Sequence, residues 1–92
     1  MFQKMKGKFE LGQVVATPGA LETFGIEDLL ISLARHSKGD WGDMDKEDKA
    51  ENDLSLKKGF RLFSAYEIRG KKLWIITEWD RSVTTFLLPE EY

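Results

Sequence analysis

The sequence predicts an α+β fold: an antiparallel sheet of about four strands, with two to three helices on one face. Three observations carry this. Residues 60–88 alternate apolar and polar side chains between short polar turns. Residues 26–36 place apolar side chains at helical spacing. A short β-like run at 9–17 precedes the helices and ends at Thr17-Pro18.

The elements follow in order. Residues 1–8 are expected to be a flexible N-terminus, and 9–92 a single domain. In the first strand, 9–17, Phe9, Leu11, Gln13 and Val15 share one face, and Val14 and Ala16 the other. Pro18 suits the first turn of a helix with Thr17 as its cap, so 19–24 reads as a short helical turn ending at Gly25. Ile26, Leu29, Leu30 and Leu33 then form one helical face. Glu27 and Asp28 in its first turn, and Arg35 and His36 in its last, match the helix dipole. Lys38-Gly39 stops it.

Asp40-Trp41-Gly42-Asp43 reads as an ordered turn, because a tryptophan packs rather than floats. A second long helix is predicted over 45–58, capped by Asp45 with Asp48 three residues on and closed by Gly59. Ala50 and Leu54 give it a thin apolar stripe, which places it at the surface. Strands at 60–68, 73–77 and 83–88 complete the chain, with Gly70 in the first turn and a polar turn at 78–82. Connections this short make the last three strands an antiparallel meander.

Composition limits the function. The chain has 92 residues and no cysteine, so disulfides, thiolate metal sites and thiol nucleophiles are excluded. The missing cysteines favour the cytoplasm. The basic N-terminus has no apolar run behind it, so neither a signal peptide nor a membrane span is expected. With 14 basic and 16 acidic residues, the charge of −2 argues against a nucleic-acid partner. The charge is uneven, however: Lys4, Lys6 and Lys8 are basic, and 40–53 is acidic.

Three segments stand out together: Gly39-Asp40-Trp41-Gly42-Asp43, Arg61-Leu62-Phe63-Ser64-Ala65-Tyr66, and the run from Trp74 through Thr77-Glu78-Trp79-Asp80-Arg81-Ser82 to Thr85. With the ending Leu87-Leu88-Pro89-Glu90-Glu91-Tyr92, they resemble a family of small bacterial proteins carried on plasmids, prophages and other mobile elements. The resemblance covers residues 9–92. It implies a place on a mobile element, and it assigns no activity and no functional residues.

The chemistry-bearing residues are few. His36, the single histidine, reads as a helix C-terminal cation with Asp40 as a local partner; the functional alternative is a general base. Asp43-x-Asp45-x-Glu47 has the alternation of a cation loop but lacks the glycine and the last glutamate of a calcium-binding loop. The acidic 40–53 run reads as a solvated helix face, or else as an imitation of DNA phosphates. Glu78, Asp80, Arg81 and Ser82 form a tight turn without a nucleophile–base pair. Arg61, Tyr66, Arg69 and Arg81 on a helix-plus-meander scaffold are similar in arrangement to RelE-like ribonuclease toxins.

These readings converge on a non-enzymatic accessory protein that binds another protein. The expected surface is Trp41, Asp43, Asp45, Glu47, Trp79, Asp80 and Arg81. No catalytic, cofactor or metal site is assigned. Self-association through an open sheet edge is a further expectation. The alternatives are a ribonuclease toxin and a nucleic-acid binder using the N-terminal lysines with Lys71-Lys72.

Overall fold

The computed structural model describes residues 7–92, and local chemistry sets most of its element ends. The expectation for the N-terminus falls largely on residues outside that range. Strand β1, Gln13–Ala16, is shorter than expected, because Gly12 adopts φ +66° against the Ser82 backbone and breaks the extended run. Helix α1, Pro18–Thr23, starts as predicted, with Thr17 Oγ1 accepting the Ala20 N–H at 3.2 Å. Helix α2 is Ile26–Ser37. Helix α3 is Lys46–Lys58, and Asp45 caps it by accepting the Asp48 N–H at 2.8 Å. Gly59 ends α3 at φ +77°.

Strands β2, Leu62–Ile68, and β3, Lys71–Thr77, are joined by a two-residue turn. Arg69 and Gly70 both have positive φ there, which matches the strand twist of a tight hairpin. Strand β4, Val83–Leu87, follows, and a 3-10 turn at Pro89–Glu91 closes the chain. The fold is α+β. The strand order is β1-β4-β3-β2, and one detail of the expectation is corrected: β1 runs parallel to β4, so the sheet is mixed. The two short connections fix only the sense of β2, β3 and β4. Three helices and two strands separate β1 from β4, a connection long enough to return the chain with either sense.

Helices α1 and α2 cover one face of the sheet. Ala20, Phe24, Leu29 and Leu33 pack there against Tyr66, Leu73, Ile75 and Phe86. The buried face of α2 is rotated from the one its apolar residues suggest. Leu29 and Leu33 point inward as expected, but with Ser32, His36 and Ser37, while Ile26 and Leu30 are 68% and 51% exposed. Small serines let the helix come close to the sheet, and His36 finds partners on two strands, Ser64 of β2 and Thr77 of β3.

The two sheet edges differ. Beside β2, Trp41–Asp43 runs as a short parallel pairing: the Trp41 carbonyl accepts the Ala65 N–H at 3.1 Å, and the Asp43 N–H donates to the Ala65 carbonyl. Asn52 of α3 then imitates a neighbouring strand. Its side chain accepts the Phe63 N–H at 3.0 Å and donates to the Phe63 carbonyl at 2.8 Å. Together these satisfy an edge that would otherwise invite another chain. β1 forms the opposite edge of the sheet.

Two stability predictions follow from this edge. Gly42 sits at φ +84°, and a Cβ there would lie 2.1 Å from the Ala65 carbonyl oxygen. Gly42→Ala is therefore expected to cost about 2 kcal/mol or more in urea unfolding. Asn52→Ala leaves both Phe63 backbone groups without their partner and is expected to cost about 2–3 kcal/mol in the same measurement.

Candidate functional site

The seven residues expected to form one surface divide into a core residue and two separate patches. Trp41 is the core residue, and its expected surface role is corrected. It is 2% exposed, its indole N–H donates to Asp53 Oδ1 at 3.0 Å, and its ring packs against Phe9 and His36. Asp43 and Asp45 lie at the start of α3, and Glu47 is exposed on its first turn. Trp79, Asp80 and Arg81 lie in the β3–β4 turn, beside the last turn of α3. About 15 Å of helix separates the two patches, at 1.5 Å per residue from Asp45 to Ser55.

His36 belongs to neither patch. Thr84 Oγ1 donates its single proton to the Leu11 carbonyl at 2.6 Å, so it must accept from Thr77 Oγ1, 2.8 Å away. Thr77 therefore accepts from His36 Nε2–H at 2.9 Å, and His36 Nδ1 accepts from Ser64 Oγ at 2.5 Å. This fixes a neutral Nε2–H tautomer. Burial, helped by the Arg81 cation, pushes its pKa down to about 3. The charged helix-end role expected for His36 is thus corrected, and Asp40 pairs instead with Arg35 at 2.6 Å. Ser64 and His36 have the contact of a nucleophile–base pair. Both are fully buried, however, and the third member is a neutral threonine that cannot hold an imidazolium.

The β3–β4 turn is organised by Arg81. Its guanidinium lies within hydrogen-bond distance of four carbonyls: Phe60 at 2.6 Å, Glu78 at 3.1 Å, Trp79 at 3.3 Å and Ser55 at 3.4 Å. Its backbone adopts φ +60°, a strained conformation for a side chain of this size. Asp80 does not pair with Arg81. It accepts the Ser82 N–H and hydroxyl, which hold its carboxyl below the usual carboxylate range. The result is a fixed knuckle. Trp79 is 66% exposed, and Phe60, bound to the same arginine through its carbonyl, is 57% exposed. Arg81 itself faces inward, so its expected contact role passes to these two aromatics. The alternation places Phe60 in a strand, whereas β2 begins at Leu62 and leaves Phe60 in the preceding loop, 57% exposed.

The other patch is an open groove of about 550 Å³ on the sheet face opposite α2. Phe63, Ala65 and Trp74 line it, with Asp43, Asp45, Asp48, Glu67 and Lys72 around them. Phe63 and Trp74 pack with ring centres 4.7 Å apart, and Tyr92 meets the edge of Trp74. The Asp43 carboxylate accepts the Glu67 N–H at 2.7 Å, and Asp45 accepts that of Asp48. Bound to backbone amides, these carboxylates do not converge on a point between them, and among the described residues no three acidic or histidine side chains form a metal site. The four residues that suggested a toxin do not gather at one site: Arg61 and Arg81 both reach Glu78 in the β3–β4 turn, and Tyr66 and Arg69 are engaged elsewhere. Tyr66 is buried on the Asp40 carbonyl, Arg61 holds the Tyr92 hydroxyl, and Arg69 pairs with Asp28 at the hairpin.

Among the described residues, no helix is long and apolar enough to cross a membrane. No protein family, no curated protein and no solved structure shows a significant match to the chain.

The state of His36 carries a pH prediction. Folded, it stays neutral down to about pH 3; unfolded, it takes a proton near 6.5. The unfolded state therefore binds more protons between these values, and stability falls as pH is lowered through the window, by about 1.4 kcal/mol per unit. Asp28, Asp40, Asp80 and Glu91 are held below their ordinary values, so their contributions are lost only at lower pH, below about 4.5. Urea unfolding at pH 7.5, 6 and 5 should show the slope in the wild type and lose it in His36→Gln.

Proposed function

We propose that this chain is a small, non-enzymatic accessory protein of a mobile genetic element, acting in the cytoplasm by binding another protein through the Trp79–Phe60 knuckle. One observation carries the reading. Two large aromatic side chains stand in solvent on loops that a single inward-facing arginine holds in place. Exposed aromatics on a mobile loop would lose conformational freedom on binding. Here the backbone is already ordered, so little of the apolar contact energy is lost to ordering. The matching partner presents an apolar pocket wide enough for an indole. The mobile-element part rests on the resemblance of residues 39–43, 61–66 and 74–85. The cytoplasmic part rests on the absence of cysteine.

The test is affinity purification of the tagged chain from its native host, with bound protein and nucleic acid both identified. A stoichiometric protein partner is expected, and Trp79→Ala should weaken its binding by about 2 kcal/mol, roughly thirtyfold. The unfolding midpoint should hold, because the indole is exposed. Retention of the partner by Trp79→Ala and by the double variant with Phe60→Ala would reject the knuckle. Recovery of RNA or DNA in place of protein would reject the function.

A further inference from the structure

The groove at the start of α3 is a second surface, independent of the knuckle. Four features decide what it can hold. Its floor is aromatic, with the Phe63 and Trp74 rings packed together. Around the floor stand Asp43, Asp45, Asp48 and Glu67 against the single Lys72, four negative charges to one positive. Helix capping accounts for Asp45 and Asp48, whose place at the first turn of α3 suits the dipole. It does not account for Glu67, the exposed penultimate residue of β2, a strand position where acidic residues are depleted. Lys72 is registered directly opposite Glu67, yet no ion pair joins their side chains among the described residues.

We propose that this groove binds a basic peptide segment of a partner protein. An arginine or lysine side chain lies with its stem along the aromatic floor and its cation among the carboxylates. An aromatic face attracts a cation, and the aliphatic stem covers apolar surface that would otherwise stay wet. An anionic ligand meets a net negative rim. A purely apolar one would bury carboxylates without partners, which costs more than the apolar contact returns. Charge complementarity thus selects the occupant, and it selects against nucleic acid at this face.

The probe is a fluorescein-labelled hexa-arginine peptide, titrated into the full chain at low salt, with a short DNA duplex as the second arm. Amide and indole chemical shifts map the contact. Binding is expected to shift Phe63, Ala65, Glu67 and Trp74 and to weaken as salt is raised. The double reversal Asp48→Lys with Glu67→Lys should weaken it by roughly tenfold. In about 0.15 M salt, where charges are screened beyond about 8 Å, Glu47→Lys with Glu51→Lys changes the net charge equally but lies outside the groove, so it should leave affinity within about twofold. Trp79→Ala should have no effect, which separates this outcome from that of the knuckle. Absence of peptide binding overturns the proposal. So do shifts mapping elsewhere, an equal loss in the two reversals, or preference for the duplex.

Discussion

A line of five hydrogen-bonding groups through the core holds the parts of this domain in register. It starts at Ser64 on β2, passes through His36 on α2, then Thr77 on β3 and Thr84 on β4, and ends at the Leu11 carbonyl before β1. Each hydroxyl has one proton, so the direction of every bond follows from the last. Apolar contacts are tolerant of small rotations, whereas a directed chain with no spare donor is not. This is why α2 turns His36, Ser32 and Ser37 inward and leaves Ile26 and Leu30 in solvent. Among the described residues, no buried side-chain polar atom lacks a partner.

Around that line, the sheet edge and the loops are closed by polar groups acting on backbone. Asn52 and Asp43 satisfy the β2 edge, and Arg81 gathers the carbonyls of three separate segments. Burial lowers the basicity of Arg81, and the Arg81 cation adds to the burial that keeps His36 neutral. The same closures create the two open surfaces. At one end of α3, Arg81 pushes Trp79 and Phe60 outward. At the other, Asp43 and Asp45 anchor a rim over the exposed face of β2 and β3.

Much of the local framework was legible in the residues. Thr17-Pro18 and Asp45 marked the helix starts, Gly59 a helix end, and Gly70 the hairpin. The signals failed where a distant contact overrode a local one. Gly12 ended β1 early because the Ser82 backbone lies against it. Trp41 read as a surface anchor, but Phe9, His36 and Asp53 enclose it, and two of these, Phe9 and Asp53, are distant from it in the chain. Of the expected surface, Trp79 stands exposed and Asp43 and Asp45 line a groove. The floor of that groove, Phe63 and Trp74, was visible only as strand alternation.

By itself, then, the sequence determined the elements, their order, the antiparallel sense of the last three strands and the absence of thiol chemistry. These depend on backbone dihedrals, caps and turns, whose causes lie within about four residues. Only the tertiary structure decided the parallel pairing of β1 with β4, the face α2 buries, the neutrality of His36 and the separation of the acidic and aromatic patches. Those depend on which groups lose water and which partners meet across tens of residues, and desolvation and hydrogen-bond direction exist only once the chain has folded.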